Sequence, residues 1–255
     1  MLAVERRKKI EEIINKEHSV LVVELAKQFE VTTETIRGDL EKLEKQGVLV
    51  RTYGGATLAM GGESELAITE RDTVNYEGKQ RIGEYAASLI KDGETIFLDA
   101  STSAWHLARY IKGKRGLTVI TNAQLIVTEL QSCDHMHVVC TGGELTPRNM
   151  SFVGRVAEQT ITNNYYANKF FFSCKGVTLS RGLVDSSEGE AEIKKAMMRC
   201  SESAIFLCDK NKIGKLGVPR ICGLDRIDFF ITDERLTDEW ETVLAKQDVN
   251  VVVAD

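Results

Sequence analysis

Between Val31 and Ala56 the chain reads Val31-Thr32-Thr33-Glu34-Thr35-Ile36-Arg37-Gly38-Asp39-Leu40, continues through Leu43-Glu44 to Gly47, and resumes as Val48-Leu49-Val50-Arg51-Thr52-Tyr53-Gly54-Gly55-Ala56. Thr32 is placed to cap a helix, because a short hydroxyl accepts from the orphan amides of a first turn, and Gly47 is placed to end it. Ile36, Leu40 and Leu43 recur at helical spacing and share one stripe. The opposite face carries Glu34, Gly38, Glu41 and Lys45, with Thr35 and Arg37 on its flanks. Val48 to Arg51 is a short apolar run ending in a cation, and Gly54-Gly55 supplies the positive φ that a two-residue hairpin needs. The segment reads as a capped helix followed by a wing.

Upstream, Ile10, Ile13 and Ile14 mark a first helix, and Val22, Leu25 and Phe29 a second that only Glu30 to Thr32 separate from the capped one. Three short helices and a hairpin make a winged helix-turn-helix; the same spacing also describes a small helical subdomain used for association. Charge does not choose between them. Residues 1–57 hold ten cations (6, 7, 8, 9, 16, 27, 37, 42, 45 and 51) and ten anions (5, 11, 12, 17, 24, 30, 34, 39, 41 and 44). Local positive charge remains in Arg6-Arg7-Lys8-Lys9, Arg37 and Arg51, each able to meet phosphate. The first of these runs reads equally as a solvated face paired with Glu11 and Glu12.

The motif from Val31 to Leu40, with Leu43-Glu44, Gly47 and Arg51-Thr52-Tyr53-Gly54-Gly55-Ala56, resembles the N-terminal signature of the DeoR/GlpR family of bacterial transcriptional regulators. The resemblance implies DNA contacts from Thr33, Glu34, Thr35, Arg37, Gly38, Glu41 and Lys45 of the helix and from Arg51, Tyr53 and Gly54 of the wing. The family usually carries a second arginine where this chain has Gly38, which points to a changed operator preference or affinity.

At 255 residues the chain has room for a second domain behind this head. The net charge of −5 falls on that part, since the head sums to zero. No apolar run is long enough to span a bilayer and Met1 to Asn15 carries no signal-peptide pattern, so a soluble, cytoplasmic protein is expected. Six cysteines (133, 140, 174, 200, 208 and 222) without a Cys-x-x-Cys pair are expected as reduced thiols. Ala-Met-Gly-Gly-Glu-Ser-Glu at 59–65 breaks both periodicities, giving a head at 1–57, a linker at 58–72 and a larger domain at 73–255.

In that domain a helical pattern at Glu77 to Ile90 precedes apolar runs at Thr95–Asp99, Leu117–Thr121, His137–Cys140, Phe170–Ser173, Ala204–Asp209 and Phe229–Asp233, most of them ending in small or polar residues. Continuous apolar strands alternating with helix-length segments predict a mostly parallel α/β sheet covered on both faces. Ligands then bind outside the carboxyl ends of the strands. Ser101-Thr102-Ser103 follows a strand and opens a helix, where hydroxyls and amides converge on an anion. Thr121-Asn122 and Thr141-Gly142-Gly143 are similar loops; each alone reads equally as a helix cap. Lys175 and Lys212 either neutralise a phosphate or lie solvated.

The family resemblance extends through Phe97-Leu98-Asp99-Ala100-Ser101-Thr102-Ser103, Val119 to Asn122, Gly142-Gly143-Glu144-Leu145, Gly176, Gly182-Leu183, the helix from Glu190 to Lys194, and Asp209 with Lys212 and Gly214. It implies an α/β sensor domain similar in fold to ribose-phosphate isomerase and CoA transferases, binding a phosphorylated sugar or related metabolite. It places Ser101, Thr102 and Ser103 at the phosphate. Asp99, Asn122, Gly142 and Gly143 are expected around the pocket, and Lys175, Glu190 and Lys212 near the sugar. The expectation is a repressor of a carbohydrate-utilisation operon, a homo-oligomer of at least two chains binding a double-stranded DNA operator, without a cofactor or a membrane partner. Two other function classes fit parts of the sequence. A sugar-phosphate isomerase needs a carboxylate base and a lysine, and Asp99, Glu190, Lys175 and Lys212 offer both. A metal-responsive regulator is raised by Cys133, His135, His137 and Cys140, although strand alternation turns Cys140 away from the other three.

Overall fold

The computed structural model describes residues 3–17, 19–45, 48–52, 54–58 and 66–255. The chain divides into two compact units, residues 1–65 and 66–255. The first contains α1 (Ala3–Glu17), β1 (Ser19–Leu21), α2 (Val22–Gln28), α3 (Thr33–Lys45), β2 (Leu49–Thr52) and β3 (Gly55–Leu58). Ile10 and Ile14 of α1, Leu25 of α2, and Ile36, Leu40 and Leu43 of α3 close one core with Leu49 and Ala56 of the wing. All three apolar positions read from the α3 stripe are buried, each worth roughly 1.5 to 3 kcal/mol. The Gly47 stop lies outside the described residues.

The wing differs from expectation in two ways. A third strand, β1, pairs antiparallel with β3, setting Val20 opposite Ala56 and Leu21 opposite Gly55. The hairpin places Thr52 opposite Gly55, so the reversal precedes Gly55 and the expected Gly54-Gly55 turn shifts by one residue. Gly54 takes a φ of 146°. Gly55 is a strand residue chosen for closeness: a Cβ there would stand 2.0 Å from the Val20 carbonyl oxygen.

The second unit opens with α4 (Ile68–Thr73) and α5 (Tyr76–Ser88). The expected 58–72 linker is therefore corrected, because the chain is helical from Ile68 and the Ile68 side chain is buried. There follow β4 (Thr95–Leu98), α6 (Thr102–Tyr110), β5 (Thr118–Thr121), α7 (Gln124–Leu130) and β6 (His137–Cys140). A hairpin of β7 (Glu144–Thr146) and β8 (Ser151–Val153) leads into α8 (Arg155–Asn164) and β9 (Ala167–Phe172). Then come β10 (Gly176–Thr178), β11 (Gly182–Val184), α9 (Glu188–Arg199), β12 (Ser201–Cys208) and β13 (Arg220–Cys222). The chain finishes with β14 (Phe229–Thr232), α10 (Asp238–Ala245) and β15 (Asn250–Val253).

Seven strands form one sheet in the order β15-β14-β12-β9-β4-β5-β6, parallel at every pairing. This is the sheet the apolar runs predicted, with β15 added at one edge. Alternation along the strands feeds two cores, one per face. Phe97, Phe170, Phe172, Phe206 and Phe230 meet α8, α9 and α10 on one face. Ile96, Leu98, Phe171, Ile205 and Ile231 meet α5, α6 and α7 on the other. On the first face the rings form a continuous row, Phe170 stacked on Phe172 at 4.6 Å and Phe206 edge-on to Phe230 at 5.3 Å. Parallel strands in register bring all their loops to one edge, and that edge carries the second candidate site.

In the first unit α3 is fixed by charge as well as by its apolar stripe. Asp39, on the buried side of α3, accepts from Arg6 Nε at 2.5 Å and Arg7 Nη1 at 3.2 Å. The Arg6 and Asp39 side chains keep only 8% and 5% of their surface. Removing one member of such a pair strands the other in low dielectric. Asp39→Ala is expected to destabilise the first unit by about 3 kcal/mol in urea unfolding of the full chain, on the scale of a broken buried pair. A loss near zero would show that Arg6 finds water instead.

Candidate functional site

The first unit presents α3 as a candidate nucleic-acid interface. Thr32 caps it, its Oγ1 accepting from the Thr35 amide at 3.2 Å. Thr33, Glu34, Arg37, Gly38 and Lys42 are exposed, while Thr35 and Glu41 are half-buried. Lys42, one turn beyond Gly38, adds a cation to this surface that the sequence reading did not include. Arg37 Nη1 lies 3.1 Å from Glu34 Oε2, an exposed pair that a phosphate can replace at little expense. A Cβ at Gly38 would meet nothing within 4 Å, so the position has room for any side chain.

Arg51 ties the wing to α3. Its amide donates to Glu44 Oε1 at 2.9 Å and its Nε to Oε2 at 2.6 Å, and these two bonds hold the Glu44 carboxyl below its ordinary range. The Arg6 to Lys9 run is corrected: Arg6 and Arg7 are the clamp on Asp39, and only Lys8 and Lys9 face outward. The side chain of Lys45 and all of Tyr53 lie outside the described residues.

In the second unit, adjacent strands β9, β4, β5 and β6 deliver their loops to one edge. Asp99, fully buried just past β4, accepts from the Ser101 amide at 3.2 Å and hydroxyl at 2.5 Å through Oδ1, and from the Ser173 amide at 3.2 Å through Oδ2. It sews the β4 loop to the β9 loop. Ser101 also caps α6 by accepting from the Ala104 amide at 3.1 Å, so its hydroxyl is already committed. Thr102 and Ser103 occupy the first turn of α6, both buried, and Ser103 Oγ has no hydrogen-bond partner.

The loop after β5 is held to β8. The Phe152 amide donates to the Asn122 carbonyl at 2.7 Å, and Asn122 Nδ2 donates to the Phe152 carbonyl at 3.1 Å, leaving Oδ1 buried and unpartnered. Gly142 and Gly143, after β6, take φ of 65° and 118°, and a Cβ at Gly143 would stand 2.5 Å from the Val153 carbonyl oxygen. Lys175 is half-buried after β9, its amide donating to Val184 at 3.1 Å. Lys212, also half-buried, sits on a short 3-10 turn (Lys210–Lys212) that Asp209 caps.

Glu190 leads to the centre of this edge, which the sequence reading missed. Lys194, one turn along α9, places Nζ 2.8 Å from Asp185 Oδ2, 3.4 Å from Asp99 Oδ2 and 3.8 Å from Glu190 Oε2. All four side chains are buried. Burial by itself would discharge Lys194, but the three carboxylates outweigh it and hold the ammonium above its ordinary range. Burial raises the carboxyls of Asp99 and Glu190, only partly offset by Lys194. Glu190 also accepts from Asn149 Nδ2 at 3.1 Å and from the Ser151 hydroxyl. The helical spacing of Glu190 and Lys194 was visible in the sequence; Asp99 and Asp185 reach them only through the fold.

The Cys133 to Cys140 constellation does not assemble along a strand, because β6 begins only at His137. His135 Nε2 instead bonds the Lys112 carbonyl at 2.7 Å, and Cys133 is buried while Cys140 is exposed. No group of three His, Cys, Asp or Glu side chains among the described residues is placed to hold a metal ion. Among the described residues all six cysteines are free, and no helix is long and apolar enough to cross a membrane.

Comparison with known proteins matches both units. Residues 6–60 match the DeoR-like helix-turn-helix domain family, and residues 74–234 match the DeoR C terminal sensor domain family. The uncharacterized HTH-type transcriptional regulator YulB of Bacillus subtilis is 42% identical, over 92% of this chain and 91% of its own. A putative aga operon transcriptional repressor of Escherichia coli O157:H7 is 30% identical, over 98% of this chain and 93% of its own. Among solved structures, ribose 5 phosphate isomerase A from Neisseria gonorrhoeae is similar over 53% of this chain and 52% of that one, at 12% identity and a TM-score of 0.40, a level from which no activity follows.

Close to this edge, α4 is held by a buried histidine. His106 of α6 is fully buried, with Nε2 2.9 Å from Asp72 Oδ1. Burial first, then the neighbouring Arg109 charge, push the imidazole down to about 4, against the pull of Asp72. The folded state thus keeps His106 neutral while the unfolded chain takes up a proton below about 6.5. Stability is therefore present above that value and lost as pH falls toward 4. Urea unfolding is expected to show a loss of about 2 kcal/mol between roughly pH 7 and pH 5 from this group. His106→Gln should flatten that segment of the profile; an unchanged slope would assign the loss to other groups.

Proposed function

Because the chain belongs to the DeoR family of transcriptional regulators, with a helix-turn-helix head and a C-terminal sensor domain, we propose that it represses a carbohydrate-utilisation operon and is released by a phosphorylated sugar or related metabolite. The observation that carries the effector reading is the pair of buried, unpartnered oxygens, Ser103 Oγ and Asn122 Oδ1, at neighbouring strand ends beside the first turn of α6. Helix amides there meet a phosphate, and the Ser103 hydroxyl donates to one of its oxygens. Thr102, Gly142 and Gly143 frame that end. Asp99, Glu190, Lys175 and Lys212 belong to the sugar end, where carboxylates accept from hydroxyls.

On the DNA side, α3 enters the major groove and the wing lies along the backbone. Arg37, Lys42 and Gly38 stand at the contact, with Thr33, Glu34, Thr35, Glu41 and Lys45 around them and Arg51, Tyr53 and Gly54 from the wing. A homo-oligomer sets two such heads on successive half-sites. Effector binding shifts the heads between arrangements with a coupling of about 1 to 3 kcal/mol. The protein acts without turnover, in line with relatives named as transcriptional regulators, and Asp99 and Glu190, held in place by Lys194, serve to accept from the ligand.

Four tests bear on this reading. A panel of pentose and hexose phosphates should contain one that raises the melting temperature of the full chain without being consumed; turnover would make the protein an enzyme. Ser103→Ala should remove the response of operator binding to that compound and leave operator affinity intact, so a retained response excludes Ser103 from the site. Arg37→Ala should weaken operator binding by on the order of 1 to 3 kcal/mol. Gly38→Arg should tighten it and steepen its salt dependence by about one counterion. Unchanged affinity in both variants would take this face of α3 off the DNA.

A further inference from the structure

Glu190 is bound from two sides, and the second leads away from Lys194. Asn149, in the turn between β7 and β8, donates through Nδ2 to Glu190 Oε1 at 3.1 Å and accepts through Oδ1 from Arg71 Nη2 at 2.8 Å. The amide has a donor end and an acceptor end, and here a carboxylate faces the first and a guanidinium the second. Turning it over would set oxygen against oxygen and nitrogen against nitrogen, so one orientation is enforced. Arg71 belongs to α4, the first helix after the boundary at Leu66. The same turn holds the start of α4 through a bond from the Ile68 amide to the Arg148 carbonyl at 3.0 Å. At the other end, Lys79 Nζ donates to the carbonyls of Arg71 and Val74, each at 2.5 Å.

We propose that Asn149 is a positioning residue that carries the state of Glu190 to Arg71, and through it sets α4, the element by which the sensor domain begins. Its link to gene control rests on the effector reading above; the relay itself does not. A ligand hydroxyl that takes over Glu190 Oε1 removes the acceptor of Asn149 Nδ2. The amide is then free to turn, Arg71 loses one fixed acceptor, and α4 gives up one of its ties, the others including its backbone contacts, the buried Ile68 side chain and the bonds of Asp72 to His106 and Arg109.

Hydrogen exchange on the full chain, with no sugar phosphate added, tests the relay at the amides of residues 70–74, with those of β4 as internal reference. Asn149→Ala and Glu190→Gln should each speed exchange in α4 several-fold and leave β4 protected. The double variant should go no further than the faster single one, because both cut one chain of bonds. Arg71→Lys, which loses the guanidinium geometry but keeps the charge, should behave as Asn149→Ala does, and it replaces Glu190→Gln if that protein does not fold. Wild-type exchange in Asn149→Ala, additive effects, or equal loosening of β4 would each overturn the proposal. Failure here leaves the effector reading standing, since that depends on the thermal shift with sugar phosphates.

Discussion

The ammonium of Lys194, enclosed by Asp99, Asp185 and Glu190, is the interaction on which the strand-end edge depends. Each carboxylate comes from a different segment: the loop after β4, the end of β11 and the first turn of α9. Ions taken from water gain little net stability from one another, but removing any one leaves the others unpaired, so the arrangement has few alternatives. Asp99 extends the constraint by fixing the amides of Ser101 and Ser173. The loops are thereby set before any ligand arrives. Asn122 Oδ1 is fixed in direction by the bond from its own Nδ2 to the Phe152 carbonyl, and Ser103 Oγ is left unpartnered beside it.

The head shows the same use of buried charge. Its neutral sum looked unfavourable for a DNA reader, yet the sum counts charges that never reach the surface. Asp39 cancels against Arg6 and Arg7 in the interior, whereas the Glu44–Arg51 pair lies at the surface of the wing. The outward cations near α3 include Arg37 and Lys42 on the helix and Lys8 and Lys9 on α1. In the DNA contact proposed for this face, a few placed cations count for more than a broad field, which favours geometry over steering.

Periodicity made much of the architecture legible. The α3 stripe of Ile36, Leu40 and Leu43 and the apolar runs of the sheet follow from local spacing, which a sequence displays directly. The short strand β1 gave no such signal; it exists because Gly55 lets Val20 approach. The turn was placed one residue late because two adjacent glycines served different ends, a positive φ at Gly54 and closeness at Gly55. The largest misses were charges. Arg6 and Lys194 look like solvated helix residues, since ordinary lysines and arginines are exposed. Their partners are remote in the chain and meet them only through the fold, which local spacing does not report.

The polarity of the strand-end edge also bears on the kind of molecule that would fit it. One ammonium among three buried carboxylates makes that cluster rich in hydrogen-bond acceptors. The first turn of α6, with its amides and the Ser103 hydroxyl, has the opposite character. Asp99 joins the two, bonding Ser101 through one oxygen and facing Lys194 with the other. A ligand suited to both ends carries an anionic group at one extremity and several hydroxyl donors at the other, which is the chemistry of a phosphorylated polyol. A carboxylate that accepts from such hydroxyls must release the donors it already holds. At Glu190 those donors include Asn149, so recognition of the sugar end and a change at α4 would be one event.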